Sequence, residues 1–124
     1  MKDSIDRFAR AHASRLLKKL AKQVRRTTRL QDEEAIHDLR VAIRRLSQCL
    51  REFRQFFPRQ KTPKILKRLS RLMDSAAEIR DRDIAIELIG KPESEIVAGL
   101  KSEREQARRK LVRRLERWRR RDFS

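Results

Sequence analysis

Seven large apolar residues recur at alternating steps of three and four along the middle of the chain, and this spacing constrains the fold more than any other feature. They are Ile36, Leu39, Ile43, Leu46, Leu50, Phe53 and Phe57. Such a heptad pattern places its members on one face of a helix, which must then be buried against other helices. Asp32 is suited to cap the first turn, and Pro58 ends the pattern. The sequence therefore predicts a helix from near Asp32 to Phe57.

Prolines and glycines separate three further helical stretches. The first is predicted from Ser4 to about Thr28. The third is predicted from 63 to 90, with a proline in its first turn and a glycine at its end, and the fourth begins at Pro92. No stretch shows the period of two that is typical of strands. We therefore expect an all-α fold, a four-helix bundle of long antiparallel helices, forming a single domain over residues 1–124.

Each of these stretches has its own apolar face. The residues expected on these faces include Ile5, Phe8, Ala9, Ala13, Leu16, Leu17, Leu20, Val24, Ile65, Leu66, Leu69, Leu72, Met73, Ala76, Ile79, Ile84, Ile96, Val97, Leu100, Ala107, Leu111, Leu115 and Trp118. The fourth helix ends in a run of arginines, which we interpret as a frayed basic C-terminal tail from about residue 117. This tail either binds an anion or remains solvated.

The chain carries 35 Lys and Arg against 18 Asp and Glu, which gives a formal net charge of +17. A compact protein with this imbalance tolerates strong self-repulsion, and the imbalance predicts a polyanionic partner. Nucleic acid, inorganic polyphosphate, an anionic membrane face and an acidic protein all fit the sign of the charge. The charge therefore indicates the class of partner without choosing among its members.

Residues for catalysis or metal binding do not occur at useful spacings. Cys49 is the only cysteine, so no intrachain disulfide is possible, and we expect it to be reduced and buried. Asp81 and Asp83 lie two apart on a helix, hence on different faces. There is no His-x-x-x-His or Cys-x-x-Cys pair and no Gly-rich phosphate loop. The sequence thus predicts no enzyme activity, no metal and no cofactor.

With no apolar segment of signal-peptide or membrane-spanning length, we expect a soluble cytoplasmic protein.

Cationic residues form ridges beside the apolar faces of three helices. The second helix carries His37, Arg40, Arg44, Gln48 and Arg51 at steps of three or four. The first carries Arg15, Lys18, Lys22, Arg25 and Arg29, and the third carries Lys64, Lys67, Arg68 and Arg71. Stacked like charges destabilise a helix, and bound anion would relieve that repulsion. The bundle could bring these ridges onto one surface; the alternative is that so many cations form ridges by chance and are merely solvated.

His37 heads the ridge of the second helix. A histidine beside an apolar seam is commonly structural. A protonated imidazole can, however, donate from both ring nitrogens to phosphate oxygens, and Arg40 lies one turn along. The sequence is compatible with a structural role for His37 and with a contact to phosphate.

The stretch from His37 to Leu46, with Arg40, Arg44 and Arg45 within it, resembles the signature helix of the CHAD family, the conserved histidine α-helical domain. The segment Arg80-Asp81-Arg82-Asp83-Ile84 is similar to the Arg-Asp-x-Asp-Val ending of that family's third helix. The resemblance implies a helical bundle with a basic channel that binds inorganic polyphosphate.

The chain also departs from the CHAD pattern. CHAD domains have two four-helix halves related by pseudo-twofold symmetry, and 124 residues suffice for one half, which puts an intact intramolecular channel in doubt. Ala76-Ala77 stands where the family often has Leu-Gly, so any bend there should be weaker. We therefore expect two copies to pair as a homodimer.

We accordingly predict a non-catalytic protein that binds inorganic polyphosphate. Its binding residues are predicted to be His37, Arg40, Arg44, Arg45, Arg51, Arg15, Lys18, Lys22, Lys67 and Arg71. Arg80 is less certain as a ligand, since Asp83 or Glu78 could hold it.

The alternative is a basic protein that binds nucleic acid. Single-strand binders stack bases on exposed aromatic rings, whereas Phe8, Phe53 and Phe57 fit the core, which leaves Trp118 and Phe123 available. A purely structural helical scaffold would leave the ridges unused.

Overall fold

The apolar seam becomes the second of four helices in a computed structural model that describes residues 2–122, with side chains described from 3 to 120. The helices are α1 (Lys2–Arg29), α2 (Glu33–Glu52), α3 (Thr62–Ile89) and α4 (Glu95–Asp122). No strand occurs in this part of the chain. The all-α four-helix prediction is confirmed.

The prediction that the second helix reaches Phe57 is wrong. Helix α2 ends at Glu52, Phe53 caps it, and a short 3-10 turn, Arg54–Phe56, follows. Phe57 is extended, with φ −120° and ψ 155°, because the ring of a following proline excludes helical backbone at the preceding residue. The helix must therefore end before Phe57 rather than at it.

The other boundaries follow capping chemistry. Helix α3 begins at Thr62 with proline in its first turn and ends at Gly90, whose φ of 65° is left-handed and suits glycine. Helix α4 starts three residues later than the predicted Pro92. Ser94 supplies the reason, since its Oγ accepts from the backbone N–H of Ile96 at 3.1 Å.

Each helix packs against its neighbours in chain order, and α1 closes the bundle against α4 through a smaller interface. The seam residues of α2 lie at the centre, where Ile36, Leu39 and Ile43 are almost fully buried. Leu20 of α1, Leu69 and Ile79 of α3, and Leu111 and Leu115 of α4 surround them. Cys49 is also buried, and desolvation raises the pKa of its thiol.

Several expected core residues lie on the surface. Phe8 is 53% exposed; its ring stacks on His12 and meets the edge of Phe53. Phe53 and Phe57 are half-buried against the core, as their seam positions predict. The buried face of each helix is narrower than predicted, because only the centre of each apolar stripe faces three other helices. The remaining exposed members of those stripes are Ile5, Leu17, Ile84 and Ile96.

The interpretation of residues from 117 as a frayed tail is also wrong over the described part. Helix α4 continues to Asp122, and Trp118 is only 5% exposed within the main core cluster. A large buried indole ties the last turns of α4 to the bundle, which a run of arginines in the sequence conceals. Phe123 lies outside the described residues. None of the described helices is both long enough and apolar enough to cross a membrane.

Candidate functional site

The capping of α2 sets the position of its cationic side chains. Asp32 accepts a hydrogen bond from the backbone N–H of Ala35 at 2.8 Å, which fixes where the helix begins. From that start, residues spaced by three and four share a face. We call this row the α2 ridge, and its cationic members are His37, Arg40, Arg44 and Arg51; all but Arg40 are exposed.

Arg40 is the half-buried member of the α2 ridge. Its Nε atom is shielded from solvent and has no hydrogen-bond partner among the described residues. A buried polar atom without a partner costs free energy, and native structures contain few of them. The guanidinium group therefore retains unused donor capacity at a position where an anion could bind.

Helices α1 and α2 form a groove beside the α2 ridge, here called the α1/α2 groove. Its cavity of about 290 Å³ is lined in part by Lys19 and Lys22 of α1 and by Arg45 of α2. Asp38 also lines it, but this carboxylate accepts a hydrogen bond from Arg26 Nη1 at 2.6 Å. That bond raises the pKa of Arg26. Asp38 is thus already engaged, and the structure brings the predicted residues Lys22 and Arg45 together in this groove.

The predicted residues of α3 do not join that groove. Arg71 lines a separate cavity between α3 and α4, and its backbone carbonyl accepts from Arg114 of α4 at 3.1 Å. Lys67 is exposed, as are Arg15 and Lys18 on α1. The expectation of one shared cationic surface is therefore corrected, because Arg71 lies on the side of α3 that faces α4. The anion-binding role of each residue stays a prediction.

Ion pairs between helices concentrate at the end of the bundle where α1 and α3 finish, which we call the paired end. Arg104 contacts both Asp83 and the backbone carbonyl of Gln31. Further pairs join other helices there: Arg26–Asp38, Arg80–Glu33 and Arg82–Glu103. Asp81 is exposed while Asp83 faces α4, so the two carboxylates do lie on different faces.

Arg80 is held by a carboxylate, but not by either predicted partner. Its Nη1 lies 3.6 Å from Glu33 of α2. Asp83 is occupied by Arg104, and Glu78 pairs with Lys110 at 3.2 Å. Contacts across helices thus replace the expected contacts within α3.

The opposite end of the bundle, here called the cationic end, has few acids. Residues 39–73 contain a single acidic residue, Glu52, against eleven Lys and Arg. Arg51, Arg54 and Arg59 line one cavity where α2 connects to α3. Arg114 and Arg117 line another, beside Arg71. Arg54, Arg59 and Arg114 were not among the predicted binding residues, and Arg117 was predicted only as part of the tail. Arg54 and Arg59 lie outside the α-helices, where helical spacing does not apply.

The predicted binding residues and the arginines at the paired end differ in their ion-pair partners. Within residues 3–120, no ion pair involves any of the ten predicted binding residues. At the paired end, by contrast, four arginines contact carboxylates of other helices: Arg26, Arg80, Arg82 and Arg104. Unpaired guanidinium and ammonium groups arranged along helices can bind several phosphates of one ligand at once.

Comparison with known proteins gives one positive result. The family model described as CHAD domain matches residues 11–124, nearly the whole chain. No curated protein and no solved structure matches the chain significantly.

Proposed function

Because the chain belongs to the CHAD domain family, we propose that it binds inorganic polyphosphate, without catalysing a reaction, through the α2 ridge and the α1/α2 groove. One observation carries this proposal: the cations of these surfaces have no carboxylate partners in the described structure, although the same bundle pairs its arginines readily at the paired end. The ridge cations are therefore available for an external anion.

Polyphosphate suits this arrangement because it carries about one negative charge per phosphate along a flexible chain. Each phosphate that contacts Arg40 or Arg44 replaces counterions, and many such contacts add up along the ridge. Arginine can bind a phosphate through two parallel N–H donors. Lys22 would contact the ligand within the groove, and Lys18 and Arg15 on α1 would extend the contact beyond it.

We also propose that two copies pair as a homodimer around the polyanion. The α2 ridge lies on an open face of the bundle, and a twofold partner could place a second ridge opposite it. Repulsion between two strongly cationic bundles opposes association, so the dimer should depend on bound anion. Sedimentation with and without polyphosphate tests this. A monomer under both conditions, binding one chain each, would contradict it.

We propose a cytoplasmic location for the protein. The buried free thiol of Cys49 supports this, because unpaired cysteines are maintained in reducing compartments. No cofactor or metal enters the proposed mechanism, which consists of multivalent electrostatic contacts.

Competition between polyphosphate and nucleic acid is the decisive experiment. Labelled long-chain polyphosphate is titrated with the protein at physiological salt, and duplex or single-stranded DNA is added as competitor at equal phosphate concentration. We expect polyphosphate to bind more tightly, because burial of Trp118 removes the main aromatic platform for stacking bases. Stronger binding of DNA would assign the surface to nucleic acid instead.

Paired variants locate the binding surface. The double variant Arg40→Gln/Arg44→Gln should weaken polyphosphate binding at least about 100-fold, since each charge-assisted hydrogen bond contributes about 1.5–3 kcal/mol and the variant removes two. The matched control is Arg10→Gln/Arg109→Gln, which removes the same charge from exposed arginines that are paired with Asp6 and Glu105. Equal losses in both variants would show that only net charge matters.

A further inference from the structure

The cavity between α3 and α4 at the cationic end is not needed for the proposed polyphosphate surface. Its volume is about 180 Å³, and its lining combines arginines with an apolar floor. The lining residues are Arg68, Arg71, Leu72, Arg114, Arg117 and Trp118. No carboxylate is among these described residues, and four of them are arginines.

Arg114 is held in place by neutral groups. Its Nη1 donates to the hydroxyl of Ser75 at 2.6 Å and to the backbone carbonyl of Arg71 at 3.1 Å. Ser75 is fully buried, so this hydroxyl is a fixed anchor. Neither acceptor carries a charge, and the Nε and Nη2 groups of Arg114 have no hydrogen-bond partner in the described part of the chain. The guanidinium is thus oriented in advance while its charge stays uncompensated.

Two further arginines surround the same space. Arg117 follows Arg114 by one turn and shares its face of α4, while Arg71 approaches from α3. Both are exposed, and neither forms an ion pair with a described residue. Leu72 and Trp118 form the floor and are 3% and 5% exposed. An apolar floor lowers the local dielectric constant and strengthens attraction between the arginines and an anion.

We propose that this cavity, the α3/α4 arginine pocket, binds one terminal phosphate group with two ionised oxygens. Three guanidinium groups converging on one space repel each other, and a doubly charged oxyanion relieves that repulsion. The volume limits the ligand, since pockets for drug-sized molecules occupy roughly 300–1,000 Å³. Phosphate or pyrophosphate, or the end of a polyphosphate chain, supplies such a group.

Trp118 reports on the pocket directly. It is the only tryptophan, and the chain has no tyrosine, so intrinsic fluorescence excited at the indole band arises from this site. The full chain is titrated with pyrophosphate while sodium chloride keeps the ionic strength constant. We expect a saturable fluorescence change. A response no larger than that to chloride alone would overturn the proposal.

Single charge removals test whether the pocket residues bind. Arg71→Gln and Arg117→Gln should each weaken the pyrophosphate response at least tenfold; both side chains are exposed, so the fold should tolerate the changes. The matched control is Arg113→Gln, which removes an exposed charge from the same helix outside the pocket and should leave the response unchanged. Equal weakening in all three variants would contradict a specific site.

Two further experiments distinguish binding at the α3/α4 arginine pocket from binding at the proposed polyphosphate surface. The variant Arg40→Gln/Arg44→Gln should retain the full pyrophosphate response even though it loses long-chain binding, so failure of either proposal is seen independently. Cyclic trimetaphosphate has no terminal phosphate group and should bind at least tenfold more weakly than pyrophosphate. Equal binding of the cyclic ligand would overturn the assignment to a terminal phosphate. A long-chain response that scales with the concentration of chain ends would identify the chain end as a ligand.

Discussion

At the paired end of the bundle, several arginines from α1, α3 and α4 are held by carboxylates of neighbouring helices, whereas no ion pair within residues 3–120 involves the α2 ridge. The contrast begins within α2 itself, where Glu33 pairs with Arg80 but the Nε of Arg40, two turns later, has no hydrogen-bond partner among the described residues. Charges at the paired end stabilise the fold. The cations of the α2 ridge repel one another, and a bound polyanion would relieve that repulsion.

The salt dependence of polyphosphate affinity should show the largest difference between the two regions. By analogy with DNA, each phosphate contact contributes about one to the slope of log affinity against log salt. Arg40→Gln/Arg44→Gln should therefore reduce the slope by about two, whereas Arg10→Gln/Arg109→Gln leaves it unchanged. Titrations at several sodium chloride concentrations measure both slopes. Identical slopes in the two variants would remove the distinction between paired and unpaired arginines.

Loss of a paired-end arginine should instead reduce stability. Arg104→Gln breaks the contact with Asp83 and the bond to the carbonyl of Gln31, both partly shielded from solvent. We expect the free energy of unfolding to fall by about 1–2 kcal/mol, less than for a fully buried pair because water screens the charges. Urea denaturation measures this change. Polyphosphate affinity, measured on the folded variant, should stay within twofold of the original.

The sequence predicted the four-helix fold, but it did not predict which arginines form ion pairs. The seam of α2 and the capping signals of Asp32 and Gly90 act locally, so they predicted four helices and the cationic ridge. The ion pairs join residues such as Arg104 and Asp83 from different helices, and their choice depends on helix rotation that no local pattern encodes. Trp118 lies on the apolar face predicted for α4, but the packing of the end of that helix into the bundle was not predicted from local patterns.

His37 offers a smaller test on the ridge. An imidazole N–H can donate a hydrogen bond to a phosphate oxygen. If His37 contacts phosphate, His37→Ala should weaken polyphosphate binding several-fold, measured by titration at constant ionic strength. Unchanged affinity together with a lower melting temperature would assign the ring a structural role.

The smallest expected effect concerns Glu105. Hydrogen bonds from Arg108 and Arg109 lower the pKa of this carboxylate from 4.5 to about 2. A depressed pKa in the folded state stabilises the protein above the ordinary pKa, and the contribution disappears as pH falls toward 2. Thermal melts should therefore show Glu105→Gln less stable than the parent chain at pH 6, with the gap closing by pH 2. A stability difference that is constant with pH would show that protonation of Glu105 does not contribute to it.

The smaller interface between α1 and α4 has a consequence for how the chain folds. Most contacts join helices that are consecutive in the sequence, so two hairpins can form quickly from local encounters, and docking of α1 on α4 requires the longest loop to close. The Arg104 bond to Gln31, across 73 residues, belongs to that last step. We expect α1 and α4, which share this smaller interface, to open before α2 and α3 in native-state hydrogen exchange and their amides to be less protected.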